Sequence, residues 1–420
     1  MGGVLLLGAD YYGTLAAARC FGKHGVSVTM ADDNRHARAL YSRHVKEKLV
    51  HPPLSQPKEL VDWLVRWGED HPGTLLYPPN DHLAWLFAAH EGVLGKTFAT
   101  YQPGEDAILR LLDKKRLHDA CAKVGIDVPE THALGEASVD AAIVDQLRYP
   151  LLLKPRTQVY LESGIKGFIV QDRKDLASEL GRFRALARFN AALADRHPDI
   201  AEPMVQEYLT AAETSIFSIS GFVTREGEFV ARAAMKVLQR PRKVGIGLCF
   251  EGRTMEERLV AKLRALCMEI GYFGAFESEF IVEGDRRLLI DFNPRFYSQM
   301  GFDIARGLPL PLLVWHAARG DHAELRAKLE RARAWSPTGH EVYLHKTMLD
   351  LVLTLQGLSG QMSRDDVKRW RAWYREHKIG ATDAVRDRDD RMPSFIDTAQ
   401  WVQHFAKHPR SFVKSFVLNR

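Results

Sequence analysis

The chain opens on an apolar run, Val4-Leu5-Leu6-Leu7, that stops at Gly8. Four apolar residues in succession before a turn signal predict a strand buried on both faces, as in a parallel sheet. Thr14 to His24 continues with helical spacing to Gly25, and Val26, Val28 and Met30 then alternate as the next strand, so the start reads as a βαβ unit. Leu75-Leu76-Tyr77-Pro78 predicts a later strand of the same sheet, with Asn80-Asp81 opening the following helix and Asp81 as its cap. From about Tyr101 the character changes. A helix carrying Leu109, Leu112, Leu117 and Ala120 ends at Gly125, and Val128-Pro129 leads into a new unit. Its strands are expected at Pro150–Pro155, Met204–Leu209, Ile216–Val223, Phe229–Val237, Ala275–Val282 and Leu288–Asn293, the last two forming a hairpin across Gly284-Asp285, with Leu176 to Ala194 a surface helix. After about residue 320 the pattern is helical. The expected division is an N-terminal α/β unit (1–100), a mixed α+β core (101–320) and a helical C-terminal extension (321–420).

Composition narrows the class. With 420 residues, 46% apolar and 26% charged, the chain can bury two or three cores, which excludes disorder, coiled coil and collagen. The richest apolar stretch, Leu308 to Trp315, is short and holds Pro309 and Pro311, so no membrane span is expected. Val4 to Leu7 lacks the length and basic flank of a signal peptide, and a cytoplasmic protein is expected. Cys20, Cys121, Cys249 and Cys267 form no CxxC pair, which argues against a disulfide framework or zinc knuckle and for reduced core thiols. His340 and His345 stand five apart, one more than two zinc ligands on a helix need, and read as structural.

Charge is unevenly spread. The net +5 lies wholly in residues 361–420, with 13 Lys/Arg against 8 Asp/Glu, leaving the body at 45 against 45 and without a nucleic-acid footprint. That tail mixes Lys368, Arg369, Arg371 and Arg375 with Trp370 and Trp373 and ends in Lys407-His408-Pro409-Arg410. An anionic membrane surface or acidic partner is one reading; the favoured one is a helix with its aromatics on the body and its charges in water.

Two places carry candidate chemistry. Asp32, ending the second strand, invites a dinucleotide reading, but Gly8-Ala9-Asp10-Tyr11-Tyr12-Gly13 sets Asp10 where pyrophosphate requires glycine. The late hairpin offers more. A period of two puts Glu277, Glu279 and Ile281 on one face of the first arm and Leu289, Asp291 and Asn293 on one face of the second. If these faces coincide, Glu279 and Asp291 meet across strands, where like charges repel unless a cation lies between them or nearby Lys and Arg neutralise the surface. A hard divalent ion such as Mg²⁺ would take both carboxylates, with Asn293 adding an oxygen.

The residues that follow make this specific. Asp291-Phe292-Asn293-Pro294-Arg295 resembles the acid-x-Asn-Pro-Arg signature of the ATP-grasp superfamily. Asp113-Lys114 with Gly125-Ile126-Asp127-Val128-Pro129, Tyr149 to Pro155 with Lys154, and Gln206-Glu207-Tyr208-Leu209 with Glu213 resemble its other elements in order, so the likeness runs from about 105 to 315. The Gly8–Gly13 stretch is similar to the domain that precedes ATP-grasp in a branch containing D-aspartate ligase and uncharacterised relatives.

The resemblance implies a Rossmann-like N-terminal domain, a two-lobed ATP-grasp core with ATP between its lobes, and an ADP-forming ligase. In that chemistry a substrate carboxylate attacks the γ-phosphate of ATP, and an amine, or another nucleophile such as a thiol, displaces phosphate from the acyl phosphate. It implies Mg²⁺ on Glu279, Asp291 and Asn293. Phosphate contacts fall to Lys114 and Lys154, adenosine contacts to Glu207, Tyr208, Leu209 and Glu213, and catalytic charge stabilisation to Arg295 and Lys236. Lys166, in Ser163-Gly164-Ile165-Lys166-Gly167, stands where the family has a glycine-rich flap, and Gln239-Arg240-Pro241-Arg242 with Gly245 and Gly247 resembles a loop near the acceptor; both also read as solvated basic turns. The rivals are a nicotinamide oxidoreductase built on the first βαβ unit and a nucleotide-binding or membrane-associated scaffold without turnover.

Overall fold

The computed structural model describes residues 2–133, 147–240, 247–337 and 339–417. The loop of Pro241, Arg242 and Gly245 lies outside the described residues.

Three sheets carry the architecture. The opening apolar run is strand β1 (Val4–Leu7), at the centre of a parallel sheet with β2 (Val28–Asp32), β3 (Val45–Val50), β4 (Leu75–Leu76) and β5 (Ala99–Thr100) in the order β3-β2-β1-β4-β5. All four residues of β1 are buried, as a strand covered on both faces requires. The first helix spans Tyr12–Lys23. Glycine is needed at its start because a Cβ on Gly13 would run into the backbone carbonyl of Tyr297, where the distant 293–297 segment crosses the helix.

A four-stranded antiparallel sheet follows, with β6 (Thr131–Ala133), β7 (Leu151–Lys154), β8 (Phe168–Val170) and β9 (Met204–Glu207) in the order β6-β9-β7-β8. The surface helix spans Arg173–Leu186, with a separate short turn at Ala191–Ala194 in place of one continuous element. The third sheet has seven strands, β10 (Ile216–Val223), β11 (Phe229–Gln239), β12 (Gly247–Arg253), β13 (Gly274–Glu283), β14 (Arg286–Asn293), β15 (Val342–Leu344) and β16 (Thr382–Asp383), in the order β14-β13-β10-β11-β12-β15-β16. The C-terminal segment is mainly helical, yet β15 and β16 make it part of this sheet.

The parallel and seven-stranded sheets share their cores. Leu5, Leu7 and Leu76 belong to one cluster with Phe217, Phe276, Phe280 and Phe292, while Val4, Leu6 and Tyr77 join another with Phe222, Phe296, Tyr297 and Tyr343. Tyr77 fixes the relation at one point, its Oη accepting from the Ala275 amide at 2.7 Å at the start of β13. No helix among the described residues is long and apolar enough to cross a membrane.

Candidate active site

The hairpin β13–β14 brings the acids together. Glu277 pairs in register with Asn293, and Glu279 with Asp291. The facing of the second arm departs from strict alternation. Phe280 pairs with Leu289, so Ile290 is an extra residue, a β-bulge between the paired positions. Leu289 therefore joins Phe280, Phe276 and Phe292 in the apolar core rather than sharing a face with Asp291 and Asn293. Leu288 packs instead with Ile281 and Ile216. The bulge lets one strand bury two adjacent leucines and still turn Asp291 toward Glu279.

Each acid has a cation. Lys236 of β11 donates to Glu279 at 2.5 Å, and Lys114 donates to Asp291 at 2.8 Å. Burial alone would raise Asp291; the Lys114 ammonium beside it holds the carboxyl below its usual range. Burial would likewise lower Lys236, and Glu279, Glu277 and Asp291 together more than offset it. Glu277 is raised, first by burial and then by the charge of Glu279. Its oxygens accept from Asn293 Nδ2 at 3.1 Å and from Gln299 Nε2.

Lys114 and Lys154 are held by a buried clamp. Asp113 caps the helix Lys114–Val124 and receives both forks of Arg156, while the Lys114 amide donates to the Arg156 carbonyl at 2.8 Å. Lys154, at the end of β7, donates to Gln206 on β9 at 2.7 Å. Burial, with the nearby Lys114 charge, lowers its ammonium to about 7.

Arg295 spreads its fork over three acceptors. Nε donates to Asp81 at 2.7 Å, Nη2 to Asn293 Oδ1 at 2.7 Å and Nη1 to the Phe296 carbonyl at 3.0 Å. This corrects the expectation for Asp81. Asn80 is the helix cap, accepting from the Leu83 amide at 2.9 Å, which frees Asp81 to orient Arg295 from across the molecule. Nothing in the local pattern of either residue signals this pair, separated by 214 positions.

A cavity of about 540 Å³ is lined by Lys166, Lys236, Glu277, Glu279, Asp291, Asn293 and Arg295. Its other walls include Tyr12 and Arg38, from the first helix and the turn after β2, and His345, Met348 and Trp401 from the C-terminal segment. His345 has a structural part as well, its Nδ1 capping the helix Lys346–Leu358 while Nε2 meets Tyr12 Oη at 2.9 Å. The expected adenosine residues lie apart from this cavity. Glu207 accepts from the Glu130 amide at 2.9 Å, Tyr208 follows it, Leu209 packs with the Ile216–Ile281–Leu288 cluster, and the Glu213 carbonyl accepts from Gln239. Asp32 and Asp10 both close their own turn, and Asp10 also lines the cavity. Asp32 accepts from the amides of Ala9 and Asn34, and Asp10 from the Arg38 amide and Asn34 Nδ2.

Among the described residues no group of three or more His, Cys, Asp and Glu side chains is gathered as a metal cluster. The donors at the hairpin nevertheless suit Mg²⁺, which typically takes one or two carboxylates and completes its shell with waters and phosphates. Glu279, Asp291 and Asn293 are the oxygen donors available for it.

No protein-family model and no curated protein matches this sequence. Solved structures do match. Biotin carboxylase from Campylobacter jejuni, in a β-γ-ATP complex, superposes with a TM-score of 0.60 at 15% identity, covering 76% of this chain and 71% of that one. N5-carboxyaminoimidazole synthetase from Staphylococcus aureus, complexed with ADP, gives 0.56 at 16% identity over 76% and 77%. L-amino acid ligase from Bacillus licheniformis gives 0.55 at 13% over 76% and 75%. The three are ATP-grasp proteins, and the chain has the ATP-grasp fold. The likeness does not single out the D-aspartate ligase branch.

Proposed function

We propose that this protein is an ATP-dependent, ADP-forming ligase that activates a carboxylate and joins it to an amine. The observation that carries the reading is the cross-strand pair Glu279–Asp291, each acid neutralised by its own lysine, lining one cavity with Arg295 in an ATP-grasp fold. The acids and the cations balance one another in pairs, and an anionic substrate carrying a divalent cation could exchange with them, the ion taking the acids and the phosphates taking the lysines and the arginine.

In this mechanism Glu279, Asp291 and Asn293 would hold Mg²⁺, and the ion would supply charge neutralisation on the phosphates. Lys114 and Lys154 lie against the phosphates as point charges, and Glu207 to Leu209 with Glu213 take the adenosine end. A substrate carboxylate oxygen attacks the γ-phosphorus, the bond to the β,γ-bridging oxygen breaks, and ADP leaves with that electron pair. Arg295, oriented by Asp81 and Asn293, stabilises charge on the transferring group and then on the tetrahedral adduct formed when the amine attacks the acyl phosphate. Phosphate departs, and the amine proton passes to solvent or a nearby base. Lys236 adds a further positive charge to the same cavity.

The test is incubation with ATP, Mg²⁺ and pooled carboxylates and amines, following ADP and phosphate together. ADP and phosphate in equal amounts, dependent on both pools, are expected. Nucleotide binding with no turnover under any pool would replace this reading with a scaffold that keeps the fold alone; turnover that needs a thiol in place of the amine would change the acceptor class.

A further inference from the structure

The helix Met392–Lys407 leaves an apolar stripe outside. The side of it that meets the body mixes Pro393, Ile396 and Trp401 with Ser394, Asp397, Gln400 and His404. Asp397 is fully buried and its carboxylate lies 2.7 Å from Arg38 Nη1, while Gln400 donates to Asp10 at 2.8 Å. The side facing solvent is mostly apolar, with Met392, Phe395, Ala399, Val402, Phe405 and Ala406 interrupted by Thr398 and Gln403. Phe395 is 66% exposed, Val402 64%, Phe405 51% and Met392 50%. Surface helices ordinarily bury the apolar stripe and solvate the polar one, so here it is the apolar stripe that lacks cover.

The surrounding charge says what covers it. From Arg391 to Val417 the exposed ionic residues are Arg391, Lys407, Arg410 and Lys414, and the single acid in that span is the buried Asp397. Phe412 and Phe416 pack inward, which leaves Val413 and Lys414 outside beside the end of the stripe. A second copy of the chain is a poor fit, because a two-fold contact sets a patch against itself and would oppose these basic residues with no acid in the span to receive them. An apolar stripe ending in basic residues matches a surface that is apolar below and anionic above.

We propose that this helix docks the protein on an anionic lipid surface, with Phe395, Val402 and Phe405 entering the acyl boundary and Lys407, Arg410 and Lys414 among the headgroups. The tail's other aromatics take no part: Trp370 and Trp373 pack on the body, as does Trp401.

The test is sedimentation of the full chain with vesicles of phosphatidylcholine alone and of phosphatidylcholine with phosphatidylglycerol. Partition onto the anionic vesicles, released by high salt, is expected, with little onto the neutral ones. Lys407→Gln with Arg410→Gln and Lys414→Gln should weaken partition on the order of 100-fold. Phe395→Ser with Val402→Ser and Phe405→Ser should abolish it while circular dichroism and the thermal transition stay as in the unaltered chain. Failure to partition onto anionic vesicles overturns the proposal, as does equal partition onto neutral ones. A concentration-dependent dimer that the triple serine variant dissociates overturns it too, by assigning the stripe to a second copy.

Discussion

Lys154 holds its charge insecurely. Its ammonium is lowered to about 7 by burial and by Lys114, against about 10.4 in an unfolded chain. Between those values the unfolded state binds the extra proton, so this residue makes stability rise with pH from about 7 to about 10 and costs most below 7. Phosphate beside it would restore the charge. Nucleotide binding at about pH 8 should therefore take up a proton, measurable by calorimetry in buffers of different ionisation enthalpy and absent in Lys154→Met; no uptake in the unaltered protein would remove Lys154 from the phosphates. At the hairpin, Asp291→Asn and Glu279→Gln are each expected to lower Mg-dependent turnover roughly 100-fold or more while the thermal transition survives, since both side chains stand at the cavity and outside the apolar core. Near-normal turnover in both would defeat the metal assignment. Arg295→Lys replaces a planar fork serving three acceptors by a point charge, and kcat should fall on the order of 10- to 100-fold.

Elements were legible wherever a period and a boundary agreed. β10 runs from Ile216 to Val223 with alternation and turn residues at both ends, and the hairpin turn falls on Gly284-Asp285 as its composition requires. The bulge at Ile290 was not legible, because Leu288-Leu289-Ile290 is apolar throughout and no alternation marks which residue is extra. Deleting Ile290 would make the pairing regular while leaving Leu289 opposite Phe280 and Leu288 opposite Ile281, so both leucines keep their faces. The cost should stay below that of one buried Leu→Ala change, about 2–5 kcal/mol, read from denaturant unfolding. The site divides the same way. Glu279, Asp291 and Asn293 sit on two adjacent strands whose pattern can be read locally. Asp81, Gln299 and Trp401 reach the site through tertiary contacts, and nothing beside them in the chain foretells it.

The whole molecule is closed by its last quarter. Asp390, almost fully buried, accepts from Arg19 Nε at 2.8 Å, Ser42 Oγ at 2.8 Å and the Arg43 amide at 2.9 Å, clasping the C-terminal segment to the first sheet's helices and loops. Asp390→Ala strands a buried guanidinium and should destabilise by about 3–5 kcal/mol in chemical denaturation, whereas Lys23→Ala, which removes the neighbouring solvent-exposed pair with Asp387, should cost less than about 1. The position of β15 adds a separate demand. It occupies the free side of β12, so a polypeptide released before Val342 would present the unpaired amides and carbonyls of Gly247–Arg253 to solvent. Until Val342–Leu344 have left the ribosome, the nascent chain holds an open template for pairing with its neighbours.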